Sequence, residues 1–146
     1  MKQDPQRIDT QAAPRPLGAY AHAARAGQLL FISGQGARDP ATGRERGVVL
    51  NADGSLQSYD IREQTRAALA NLEAVVRAAG GTLEDIVDVT VFLLHMTDFP
   101  AYNEVYAEVF GSRRPARTTV GAASLPGNNA IEIKAVACLL REGEPQ

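Results

Sequence analysis

The stretch ARTTVGAASLPGNNAIEIKAVA, residues 116–137, decides how the rest of the chain is read. After Arg117 a period-two run, Val120, Ala122 and Ser124, meets a Leu-Pro-Gly-Asn-Asn break at 125–129. A second alternating run follows, Ile131, Ile133, Ala135 and Ala137. Alternation of this kind marks half-buried strands, so the stretch predicts a two-stranded unit with Arg117 opening one strand and Glu132 near the start of its neighbour. Side chains alternate across a strand, so Glu132 points away from the face of Ile131 and Ile133 and is either solvated or lines something. Such an Arg and Glu also suit a surface charge and an ion pair with Lys134.

Working outward, 146 residues make one domain with one ordinary core. A net charge of −2 argues against affinity built on nucleic-acid phosphates or an anionic membrane, so a small-molecule partner is expected. No apolar run reaches the ~18 residues of a membrane span, and MKQDPQRIDTQAAPRP lacks the apolar centre of a signal peptide, which implies a cytoplasmic protein. The single cysteine, Cys138, cannot form an internal disulfide and is read as a small buried residue. His22 and His95 lack metal-ligand spacing, so no metal and no cofactor is expected.

Along the chain, residues 1–15 carry two prolines and are read as a flexible lead-in, 16–141 as the domain and 142–146 as a tail. Tyr20 to Ala24, a turn at 26–28 and Leu29–Ser33 form a hairpin. Ser33-Gly34-Gln35-Gly36 has glycines after a strand, but Asp39-Pro40-Ala41-Thr42-Gly43 is turn chemistry rather than a helix, which argues against a phosphate loop. Gly47–Asn51 is a brief β run. The turn at 52–55 lacks the spaced carboxylates of a calcium loop.

Asp60 opens the clearest helix, with Ile61, Thr65, Leu69, Leu72, Val76 and Ala79 in one stripe up to Gly80-Gly81. Ile86–Leu94 is a central strand. Phe99, Tyr102, Tyr106 and Val109 or Phe110 recur at helical spacing as core. The order β-β-(β)-α-β-α-β-β predicts an α/β (α+β) fold, one mixed sheet with both helices on one face. The second sheet face is then expected to be covered by another subunit.

These residues resemble the RidA/YjgF/UK114 enamine and imine deaminases. The likeness runs over about residues 16–140, through Gly18-Ala19-Tyr20, Ser33-Gly34-Gln35, Asp39-Pro40-Ala41-Thr42-Gly43, Gln64-Thr65-Arg66, Asn103-Glu104-Val105-Tyr106, Pro115-Ala116-Arg117 and Ile131-Glu132-Ile133. It implies a chorismate-mutase-like fold, a homotrimer with sites between subunits, and hydrolysis of 2-enamino and 2-imino acids to 2-oxo acids and ammonia. It further implies that Arg117 pairs with the substrate carboxylate and Glu132 holds the water, with Tyr20, Ser33 and Asn103 lining the cleft. Thr119 stands where several relatives have cysteine.

Gly-Ala-Tyr-Ala-His at 18–22 and the long 44–59 segment leave the commonest pattern. With Asp53-Gly54 followed by Tyr59-Asp60-Ile61-Arg62, Gln64-Thr65-Arg66, Arg117-Thr118-Thr119-Val120 and Glu132-Ile133-Lys134-Ala135-Val136-Ala137, the chain looks closer to the 2-aminomuconate deaminase branch, where Arg38 would meet a second carboxylate. The alternatives the resemblance keeps open are a non-catalytic binding or chaperone-like trimer and a ribonuclease or translation inhibitor.

Overall fold

A computed structural model describes residues 5–140 of the chain. Helix α1 spans Ile61–Ala78. The Asp60 carboxylate starts it by accepting the amides of Arg62 (2.9 Å) and Glu63 (3.2 Å), two of the donors a helix leaves open. It stops before Gly80, whose φ of +88° a residue with a Cβ adopts poorly. The expected stripe is the buried one: Ile61, Leu69, Leu72 and Val76 face the core.

The strands in chain order are β1 (Gln6–Ile8), β2 (Ala23–Ala26), β3 (Leu29–Gln35), β4 (Val48–Leu50), β5 (Leu56–Tyr59), β6 (Ile86–Leu93), β7 (Ala116–Gly121) and β8 (Ile131–Cys138), with α2 (Phe99–Phe110) between β6 and β7. Six form one sheet in the order β1-β2-β3-β8-β6-β7, while β4 and β5 pair as a separate hairpin. Only β6 and β7 run parallel. This is the mixed α+β architecture expected, with α1 and α2 packed on the sheet face of Leu30, Ile32, Val89, Val91, Ile131 and Ile133. The opposite face carries Phe31 and Val120, 43% and 38% exposed. No described helix is long and apolar enough to cross a membrane.

Three sequence expectations change. First, β7 and β8 are not neighbours, because β6 lies between them and pairs with both. A strand with both edges inside a sheet must find partners for its N–H and C=O groups on each side. The 122–130 connection is long enough to step across β6, whereas a tight two-residue turn would have enforced a hairpin.

Second, the described part of the lead-in is built into the domain. Residues Gln6–Ile8 pair with Ala23–Arg25, and Ile8 and Ala13 are buried. His22 accepts the Thr10 amide at Nδ1 (3.2 Å), so its Nε2 is left to donate to the Pro14 carbonyl (2.8 Å). Residues 1–4 and the 142–146 tail fall outside the described residues. Third, Cys138 shares the outward face of Val136 rather than the core face of Ala137, and is half-buried.

Candidate active site

Arg117 is positioned by the β6–β7 pairing. It lies level with Val89, and Thr119 with Val91, so both point to the helix-bearing face at the sheet edge. There α2 presents Phe99, Tyr102 and Tyr106. The Arg117 guanidinium carbon stands 4.5 Å from the Tyr106 ring centre, 5.3 Å from Tyr102 and 5.7 Å from Phe99. Ring quadrupoles of this kind attract a cation where water is thinned out. Arg117 Nη1 donates to Asn103 Oδ1 (2.9 Å), and the Tyr102 hydroxyl shares a hydrogen bond with Thr119 Oγ1. Burial pushes the Tyr106 phenol up to about 12, against the pull of the Arg117 charge, so it is a neutral donor at physiological pH. Arg117, Asn103 and Thr119 thus form one assembled group.

Glu132 belongs to a second group. It lies level with Phe92 on the outward face, and its carboxylate rests over Gly34, where a Cβ would sit 2.7 Å from Oε1. Burial pushes this carboxyl above its ordinary value, and no ion pair with a described residue opposes that shift. Ser33 precedes Gly34 and donates its hydroxyl to the Ala21 carbonyl (2.7 Å). Tyr20, 50% exposed, and Arg38 line a small recess with Gly34. The Tyr20 hydroxyl accepts the Leu17 amide (3.2 Å), and Arg38 Nη2 donates to the Arg15 carbonyl (2.9 Å).

The structure therefore gathers the sequence-predicted residues into two sets. Arg117 and Glu132 point to opposite faces of the sheet, so one chain does not bring the two charges into one cleft. Arg117 sits on the edge strand β7 and Glu132 on the face away from the helices, both places open to a second chain. Among the described residues no group of three or more His, Cys, Asp or Glu is placed to hold a metal ion.

Several supporting residues escape a linear reading. Gln64 and Asn71 are buried amides on α1. Gln64 accepts the Ala130 amide (2.7 Å) and donates to the Asn128 carbonyl (2.9 Å), which fixes the entry to β8 just before Glu132. Asn71 donates to the carbonyls of Gly36 and Arg38, both at 2.9 Å, which fixes the exit from β3. The signal available for them is polarity on the buried side of an otherwise apolar helix face. The aromatic stripe of α2 is core, as expected, and it is also the bed of Arg117.

The fold and these two groups define a class: a small helix-on-sheet domain whose charged groups stand ready at surfaces a second chain can close. The solved structure of TM0215 from Thermotoga maritima superposes with a TM-score of 0.82 at 40% identity, covering 97% of this chain and 100% of that one. The RutC family protein PH0854 of Pyrococcus horikoshii is 45% identical over 130 residues, 89% of this chain and 94% of the relative. A 2-iminobutanoate/2-iminopropanoate deaminase of Dermatophagoides farinae is 36% identical over 132 residues, 90% of this chain and 94% of the relative. The family model described as Endoribonuclease L-PSP matches residues 10–139, and the chain belongs to that family, the RidA/YjgF family of the resemblance above.

Proposed function

We propose that this chain is a cytoplasmic enamine and imine deaminase that hydrolyses 2-imino acids to 2-oxo acids and ammonia. It works as a homotrimer in which the Arg117 group of one subunit faces the Glu132 group of the next. The observation that carries this reading is the seating of Arg117. Aromatic rings take its flat face and Asn103 takes one N–H. The remaining guanidinium donors then suit a carboxylate, a charge-assisted contact of about 1.5–3 kcal/mol.

In this mechanism Arg117 holds the substrate carboxylate, and an enamine substrate first takes a proton at C3 to become the imine. Glu132 accepts a proton from water as the water oxygen bonds C2, and the imine nitrogen is protonated. In the resulting carbinolamine the hydroxyl gives up its proton and the amine takes one, and ammonia leaves as the C–N bond breaks and the oxygen's electron pair closes the carbonyl. A carboxyl whose proton affinity is raised by burial suits both the taking and the return of that proton. Tyr20, Ser33, Asn103, Thr119 and Arg38 shape the cleft.

The finer reading, 2-aminomuconate as the substrate, rests on sequence likeness to that branch. The family description names a ribonuclease, and the acidic balance of this chain argues against phosphate-driven binding.

Ammonia release from 2-aminoacrylate, branched-chain imines and 2-aminomuconate, with RNA cleavage measured alongside, tests the proposal. Arg117→Ala is expected to lower kcat/KM at least about 100-fold. Arg117→Lys recovers only part, because an ammonium is a point charge and not a fork. Unchanged imine hydrolysis by Arg117→Ala would remove the anchor from the mechanism.

A further inference from the structure

Three arginines cluster around the start of β7, and two of them are engaged. Arg113 donates to the Val109 carbonyl (3.2 Å) and stands 3.5 Å from Glu84, and Arg117 donates to Asn103. Arg114 makes no hydrogen bond or ion pair with a described residue. It is also the only described residue other than glycine with a positive φ (+47°, ψ 59°). A residue with a Cβ is held in that conformation only where its surroundings impose it.

Arg114 and Arg117 line the same cleft, of about 370 Å³, between the end of α2 and the start of β7. Tyr106, Phe110 and Pro115 supply apolar walls, and none of the lining residues is acidic. Tyr106 is itself almost wholly buried. It is 8% exposed, and among the described residues its buried hydroxyl has no hydrogen-bond partner. Two cations with apolar walls between them match a ligand with an anionic group at each end of a short apolar body.

We propose that this cleft is a second anion subsite, in which Arg114 receives a distal carboxylate of the substrate whose 2-carboxylate Arg117 holds, making dicarboxylic imino acids preferred over monocarboxylic ones. The proposal rests on the deaminase reading and names the substrate class for it. It also moves the second-carboxylate role from Arg38, which bonds the Arg15 carbonyl and faces the recess of Tyr20 and Gly34.

Two measurements test it on the full chain. One is the ratio of kcat/KM for the imine of 2-oxoglutarate against that of 2-oxobutanoate. The other is calorimetric binding of the two stable 2-oxo acids, which needs no turnover. Arg114→Gly removes the guanidinium and accepts the left-handed backbone, so loss of fold does not confuse the result. The wild-type chain is expected to favour the dicarboxylic member, and Arg114→Gly to lower that preference about 10- to 100-fold with monocarboxylic constants unchanged. Arg114→Lys should fall between.

The subsite is overturned if the wild-type chain shows no preference, if Arg114→Gly weakens both acids equally, or if Arg38→Ala removes the preference and Arg114→Gly does not. Dicarboxylate binding that depends on Arg114 in a chain that hydrolyses no imine would keep the subsite and discard the deaminase reading.

Discussion

The Arg117 group and the Glu132 group treat charge in opposite ways. Arg117 is given a bed: three aromatic rings beneath the guanidinium and a side-chain oxygen at its edge. Glu132 is half-buried over a glycine, with no cation of the described chain bonded to it. The first arrangement holds a permanent charge still. The second makes the charged and neutral forms of a carboxyl closer in free energy, which suits a group that passes a proton. The proposed anchor and the proposed proton carrier thus differ in environment as much as in residue type.

The contrast can be broken most sharply by separating the groups. Arg117→Ala and Glu132→Gln are each expected to be nearly inactive. If a working site takes one group from each of two subunits, refolding the two variants together in equal amounts restores about a quarter of the sites. No recovery in the mixture would place both groups of each site in one chain.

A smaller change tests the seat of Glu132 alone. Gly34→Ala puts a methyl within 2.7 Å of Oε1 and must displace the carboxylate. The expected result is a fall in kcat of about 10-fold or more with KM little changed, since the anchor is untouched.

Smaller still is the pH dependence of stability. Burial raises the Glu132 pKa in the folded chain. Below the ordinary carboxyl pKa both states are protonated and burial carries no ionic cost. As pH rises through the folded value, the fold must hold a half-buried anion and loses stability. Glu132→Gln should therefore raise the melting temperature at neutral pH, with the gain shrinking as pH falls through the carboxyl range. A gain independent of pH would show that ionisation is not its source.

The least effect belongs to the Arg117 bed. Tyr106→Phe keeps the ring and deletes a buried hydroxyl that has no partner among the described residues, so chemical denaturation should show a gain of about 1 kcal/mol. A loss of that size would mean the hydroxyl is bonded in solution.

Much of the fold was legible along the chain, for local reasons. The Asp60 cap, the apolar stripe of α1 and the Gly80-Gly81 stop are all within one helix, and β6 declares itself by β-branched residues. Strand β5 was not legible, because Leu-Gln-Ser-Tyr carries little strand preference and is held by its pairing with β4. The burial of Ile8 and Ala13 was hidden by the prolines around them, since residues 9–14 are clipped by His22, a side chain that comes later.

The sequence by itself determined one guanidinium at a strand start and one carboxylate on the side of its strand away from the apolar face, set by residue type and the two-residue period. Only the tertiary structure decided where they stand. With β6 between β7 and β8, Arg117 faces the helices and Glu132 faces away from them. A two-residue period tells which neighbours share a face within one strand. It is silent on which strand lies beside which, because that depends on long-range backbone pairing that every strand must complete.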